Sequence, residues 1–385
     1  MVAWTVPSAI PASAFAAPAQ TPLALDLLFP TRSNADDARA AALELHALDG
    51  GPWFDLTRAT ATVRADATPG RTLLRISEPY EPWSWTPPNY LDTLATTLDL
   101  SIQAGARYPV SHAALGLEVA PAVLLSPVGE QAWGRLFDLP VALPLFLPPR
   151  GTTQWSTLIV PVGSISRYAT PDQVAAHADA GLGAAAFLSR PNGTCEFRVR
   201  VTALLLDQTR PTEATGEPVL QLPPSPGSGQ AGIALSRFWR TVDHRGRIRL
   251  EMSAGASQQD EVTTISPPCS LCNDEVTQAL VTRQTGLLEI RLAGERTLEH
   301  AIHLGGEVRG GGGIDRVRDQ GNSDWLMAGG MAGWLRLRIG PIDVLGTFDL
   351  ARTVVTTTED PPTRSFRLDA GGRLHILYQA SVRAR

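Results

Sequence analysis

The chain has 385 residues, 43% hydrophobic and 18% charged, enough for two or three ordinary domains and too apolar for a disordered chain. Net charge is −5 and all 33 basic residues are arginine; without lysine, a Walker A phosphate loop, a Schiff-base lysine and a kinase-type lysine are excluded, since each needs an ammonium on a flexible stem. The first 30 residues carry no basic side chain, which excludes a phosphate-neutralising arm, and three cysteines do not imply a disulfide framework.

Taken in chain order, residues 1–30 are Ala- and Pro-rich and read as an extended N-terminal arm. Ala14-Phe15-Ala16 has the shape of a signal-peptidase site but lacks a positive flank. Asp36 to His46 follows the capping residues Ser33-Asn34 and predicts a short helix. A second is predicted over Pro171 to Ala180, with Thr170 as N-cap and proline at the first helical position. Everything else that is periodic has period two. Leu98, Leu100 and Ile102 alternate with Asp99, Ser101 and Gln103; Leu115, Leu117 and Val119 alternate with Gly116 and Glu118; Phe197, Val199 and Val201 alternate with Glu196, Arg198 and Arg200. Ile248, Leu250 and Met252 alternate with Arg247, Arg249 and Glu251, and Leu288, Ile290 and Leu292, then Leu335, Leu337 and Ile339, repeat the theme. Such strands bury one face and solvate the other, which predicts antiparallel β-sandwiches with the apolar residues inside. Residues 211–230 hold five prolines and Gly227-Ser228-Gly229, and divide the chain into a first domain, 31–210, and a second, 231–385. No stretch approaches the ~18–20 apolar residues of a membrane-spanning helix.

Residue types that carry chemistry are scattered. Cys269 and Cys272 form a lone C-x-x-C and read as two incidental thiols in a loop. His300 and His303, three apart, fall on opposite faces of a strand and share no metal. Asp36-Asp37 and Glu359-Asp360 read as solvated surface, and Gly310 to Gly313 as a flexible loop tip. Ser164 and Ser166 follow Gly163 without the strand-to-helix turn of a nucleophile elbow. Asn192-Gly193-Thr194 matches a glycosylation pattern, but Asn-Gly between two strands predicts a tight hairpin first. Trp83 and Trp85, in a Pro-rich loop, are candidates for a binding surface. No catalytic, cofactor-binding or metal-ligating residue is assigned, and the chain is read as a non-enzyme.

The order of strands in the first half resembles the jelly-roll capsid proteins of picorna-like viruses. The resemblance rests on Thr96 to Gln103, Tyr108-Pro109 and Ala113 to Pro121, then Leu139 to Phe146, Thr152 to Tyr168, Gly181 to Leu188 and Cys195 to Leu205. In the second half Phe238-Trp239-Arg240, Arg247 to Met252, Gly286 to Leu292 and Gly371 to Tyr378 repeat it, so the chain looks like the two-jelly-roll large coat protein of comovirus-type viruses. The resemblance implies a structural subunit of an icosahedral virion, assembled in host cytoplasm. Its partners would be copies of itself and another coat protein, with an enclosed RNA genome weakly contacted, a host receptor, and no membrane insertion. The alternative is a two-domain β-sandwich binding protein for carbohydrate or cell-surface recognition, with Trp83, Trp85 or Trp155 as the carbohydrate-binding residues. An outer-membrane barrel ranks lower, because the outward strand faces carry Arg and Glu rather than a lipid-facing apolar band and aromatic residues make up only 6%.

Overall fold

The computed structural model describes residues 59–68, 71–80, 98–128, 132–148, 155–169, 174–192, 195–208, 213–215, 228–243, 245–265, 277–299, 301–317, 323–358 and 364–383. Among them there is no helix. Eighteen strands follow one another: β1 (Thr60–Thr68), β2 (Arg71–Tyr80), β3 (Leu98–Val110), β4 (Ala113–Val119), β5 (Ala122–Val128), β6 (Ala132–Ala142), β7 (Leu145–Leu147), β8 (Ser156–Ala169), β9 (Val174–Asn192), β10 (Cys195–Gln208), β11 (Glu213–Thr215), β12 (Ser228–Arg240), β13 (Gly246–Ile265), β14 (Thr277–Glu299), β15 (Ile302–Val317), β16 (Ser323–Ile339), β17 (Ile342–Thr356) and β18 (Arg364–Arg383).

Every pairing is antiparallel and joins strands adjacent or nearly adjacent in sequence, except that the last strand returns to the first. β18 pairs with β17 on one side and on the other with β2 (Arg364↔Tyr80) and β1 (Leu377↔Asp66). Because β1 and β2 lie end to end on β18, they form one stave; β4 with β5, β6 with β7, and β10 with β11 merge likewise, so the eighteen strands make a closed ring of fourteen staves. Fourteen strands spaced ~4.8 Å and tilted ~40° enclose a barrel of about 14 Å backbone radius. The two tandem jelly rolls expected from sequence are therefore absent. β10, before the Pro/Gly-rich stretch, pairs directly with β12 after it (Arg198↔Ser236), and both halves share one ring. The resemblance to capsid proteins fails with the sandwiches: a ring that pairs its own first and last strands leaves no open sheet edge for neighbouring subunits.

The ends of the barrel differ. At one end β3 and β4, β9 and β10, β14 and β15, and β16 and β17 meet with two residues of sequence between them, and β12 and β13 with five; at the other end lie the last residues of β2, β11 and β13 and the first of β3, β12 and β14, which longer stretches of sequence separate. Two of the tight turns use left-handed backbone, at Ser111 (φ 54) and Gly340 (φ 61), which the right-handed twist of a hairpin demands. The predicted Asn192-Gly193 hairpin is present, with Asn192 opposite Cys195. The helix expected over Pro171 to Ala180 is not: its described part belongs to Val174–Asn192, a strand paired with β8 and β10, while Thr170 to Gln173 fall outside the described residues. Tertiary pairing outweighs a weak helical propensity there. The N-terminal arm and the helix at 36–46 fall outside the described residues. Gly310 to Gly313, expected as a loop tip, runs through the middle of β15.

Glycine has a specific job at Gly305. A Cβ there would sit 2.2 to 2.4 Å from ring atoms of Trp334, its partner on β16, so the indole lies flat on bare backbone. Gly310, on the same strand, has nothing within 4 Å of the same position. Gly305→Ala should therefore lose about 1–3 kcal/mol in denaturant unfolding, the usual cost of forcing a side chain into a filled site. Gly310→Ala should unfold within about 0.5 kcal/mol of the parent. Equal midpoints for the two variants would show that the ring does not depend on that contact.

Candidate functional site: a charged lumen within an apolar wall

The period-two pattern is real, but its two faces are the reverse of those expected. Leu288 (55% exposed), Ile290, Leu292, Met327 (66%), Leu335, Leu337 and Ile339 point outward. Their polar alternates point into the lumen and are buried: Arg249 is 2% exposed, Arg336 1% and His375 1%, with Arg247, Glu251, Glu295, His303, Glu307, Asp343 and Asp349 also buried. The face that looked solvated is interior, and the face that looked like core is the outer surface. Aromatic side chains mark the outer surface at both ends, Tyr108 near the tight turns and Trp325 (62% exposed) near the opposite end.

Inside, opposite charges meet across strands because the register puts them on one row. Arg247 faces Glu295 and donates from Nη1 to Oε1 at 3.0 Å. The second Glu295 oxygen accepts from Trp334 Nε1 at 3.1 Å, and His303 Nδ1 lies 3.7 Å from the first. Arg249 Nη2 donates to Glu307 Oε2 at 2.7 Å, reaching across the small Ala293 that separates them on β14. Arg336 Nη2 donates to Asp343 Oδ2 at 2.5 Å, and His375 Nδ1 lies 3.7 Å from Asp66. Further along the wall Ser236 donates to Glu251, and Arg198 holds Glu196 through Nε and Nη2 at 2.5 and 2.9 Å.

The opposite wall is apolar. Ala114, Ala142, Phe146, Leu158, Val160, Ala185 and Phe187 all project inward from β4, β6, β7, β8 and β9 as one buried cluster. Arg107 lies over the Phe146 ring at 3.9 Å and joins the two kinds of wall. Most of these groups lie in the half of the barrel nearest the tight turns, where the inward side chains are buried. Not every atom of the network is satisfied: among the described residues Glu307 Oε1 and the Nε and Nη1 of Arg336 have no hydrogen-bond partner.

Of the residues singled out in the sequence, His303 is in this network, Ser164 is buried on the lumen wall, and Trp155 lies half-buried just before β8. Trp83, Trp85, Cys269, Cys272, His300, Asp36-Asp37 and Glu359-Asp360 fall outside the described residues. Sequence reading passed over Arg247, Arg249, Glu295, Glu307, Arg336 and Asp343, because each looked like ordinary strand surface. The one signal they offered was opposite charge on the two arms of a hairpin, as in Arg336 and Arg338 before the turn at 340–341 and Asp343 after it, Arg338 being the residue opposite Asp343. Among the described residues no group of three or more His, Cys, Asp or Glu is placed to hold a metal ion.

Arg249→Ala should be costly, because it strands a buried carboxylate: about 3–5 kcal/mol in denaturant unfolding. The double change Arg249→Ala with Glu307→Ala should cost less than Arg249→Ala alone, and a larger cost for the double would refute the pairing. At the tight-turn end, Asp243 accepts from the Thr241 hydroxyl and from the Arg245 N–H at 3.0 Å, which hold its carboxyl below the ordinary carboxylate range. A carboxyl depressed in the fold contributes fully above the ordinary range, and that contribution disappears as pH falls through the lowered value. Amide exchange at Arg245 and Gly246, corrected for its intrinsic pH dependence, should speed up on acidification in the parent and be fast throughout in Asp243→Ala.

No protein-family model matches the chain, and no curated protein matches it. Among solved structures it is similar to the CymD monoaromatic hydrocarbon channel, at 8% identity over 89% of this chain and 92% of that one, with a TM-score of 0.33. It is similar to a Pseudomonas aeruginosa FadL homologue at 11% identity over 84% and 90%, TM-score 0.36. A TodX monoaromatic hydrocarbon channel mutant matches at 7% identity over 86% and 93%, TM-score 0.40. Superpositions this loose say nothing of what passes through or binds to this barrel.

Proposed function

We propose that the chain spans an outer membrane as a β-barrel and works as a gated channel, without catalytic activity of its own. The observation that carries this is the inversion of faces: charges in register line the lumen, while an almost unbroken set of large apolar side chains covers the outside. In water that outer surface would be far larger than the few hundred Å² of contiguous apolar patch a soluble monomer tolerates. In hydrocarbon it is the favoured surface, and a closed ring is the one sheet arrangement that leaves no backbone group unpaired. A membrane site replaces the virion, and lipid replaces the coat-protein partners. The carbohydrate-binding sandwich goes with the sandwich fold. The tight turns, with the start of β1 and the end of β18 beside them, face the periplasm, and the long connections face out, the usual asymmetry of such barrels.

Gating is the reading that fits a filled lumen. Ion pairs and the Phe146–Leu158–Phe187 wall close the turn-side half at rest. A network that leaves buried atoms of Glu307 and Arg336 unsatisfied is poorly suited to permanent closure, because each unmade bond in a low dielectric favours rearrangement. Purified protein should insert into lipid vesicles and keep a folded gel mobility that shifts on heating. In planar bilayers the parent should show rare, small openings. Arg249→Ala with Glu307→Ala, which removes two side chains from the plug, should raise the open probability about tenfold, given ~1–2 kcal/mol less closure energy. Insertion without conductance in either protein would defeat the channel reading and leave the barrel; failure to insert would defeat both.

A further inference from the structure

On the outer surface three glycines fall side by side on neighbouring strands: Gly294 is opposite Gly306, and Gly306 is opposite Gly333. Ile248 is opposite Gly294 at one end of this row and Phe348 is opposite Gly333 at the other. With no side chain over three successive strands, the wall is indented into a groove of about 550 Å³ between Ile248, Leu292, Val308, Met331 and Phe348. Four strand spacings of ~4.8 Å make it roughly 19 Å long.

The groove has a direction. Ile248 lies two residues into β13 from its turn-side start at Gly246, whereas Phe348 lies six residues into β17 from Ile342. The row therefore climbs from the turn-side edge of the barrel towards its middle. At the low end the next outward residue beyond Gly294 on the same strand is Arg296, whose side chain is 70% exposed. Asp243 steadies it from the turn, Oδ2 lying 3.7 Å from Nη2, and Arg245 adds a second positive charge there, so the low end is net basic. An exposed cation at the edge of an apolar band, above a trough that runs into the band, is complementary to one kind of molecule: a phosphate head on an acyl chain.

We infer that this groove holds one acyl chain of a phospholipid from the turn-side leaflet, its phosphate on Arg296. The inference rests on the membrane reading above. The chain follows Gly294, Gly306 and Gly333 upward, and Phe348 closes the far end.

Two of the glycines can be changed without strain on the backbone. A Cβ at Gly294 meets nothing closer than the Arg247 carbonyl at 3.7 Å, and one at Gly333 nothing closer than the Gly305 carbonyl at 3.9 Å. Gly294→Leu with Gly333→Leu should therefore fill the groove and leave the barrel folded, which the heat-dependent gel shift verifies. The full chain is reconstituted in nanodiscs of phosphatidylethanolamine with phosphatidylglycerol, released into mild detergent, and weighed by native mass spectrometry. The parent should keep one phospholipid per chain. The filled variant should lose it about tenfold more readily, and Arg296→Gln should do so by several-fold while retaining the groove. Equal retention in parent and filled variant, or a parent that leaves the bilayer without lipid, overturns the inference while the barrel reading stands. A parent that cross-links as a dimer through Met331, lost in the filled variant, overturns it in favour of a second copy in the groove. A protein that never enters the nanodisc overturns the membrane reading instead.

Discussion

Pairing of β18 with β1 and β2 is the contact on which everything else depends. Every other strand pair is a hairpin or a near neighbour in sequence, and each would exist in an open sheet. Only this pairing joins residues some three hundred positions apart, and only it removes the two edges. With the edges gone, every stave has a hydrogen-bonding neighbour on both sides, and an environment without water becomes tolerable to the backbone.

Once the ring is closed, the side chains divide between two environments that are both unusual. The outside needs no packing partner from the protein, so large apolar residues stand singly on it, and glycines there form depressions rather than weaknesses. The inside buries charge, so an arginine there is best placed with an acid within reach. Buried pairs are a poor source of net stability, because desolvation consumes most of the attraction. What they do well is exclude wrong arrangements. A slip of one residue between β13 and β14 would carry Arg247 and Arg249 to the apolar outside and take from Glu295 and Glu307 the guanidinium each accepts from. The network thus sets the register as well as filling the lumen.

Much of the local structure was legible in the sequence. The alternations at Leu98 to Gln103, Arg247 to Met252 and Leu335 to Ile339 all fall in strands, and Asn192-Gly193 makes its hairpin. What could not be read was which face is inside. Period two separates two sets of residues and says nothing about which set meets the solvent, and a sandwich in water puts the apolar set inside. The Arg and Glu that seemed to argue against a lipid-facing band were the lumen. The division into two domains had a similar origin. Prolines and glycines at 211–230 look like a linker, yet Glu213–Thr215 continues the stave of β10 and Ser228 already belongs to β12. The charge pairs were invisible for a different reason: Arg249 and Glu307 are 58 residues apart, and only a three-strand register brings them together.

The exclusive use of arginine takes on meaning in this setting. An ammonium can shed its proton when it is taken out of water, and so escape the penalty of being charged there; a guanidinium retains its proton at any acidity a folded protein experiences. The guanidinium is also a planar fork of N–H donors, a shape that lets Arg247, Arg249 and Arg336 each reach a carboxylate on another strand, Glu295, Glu307 and Asp343, while their stems lie along the wall.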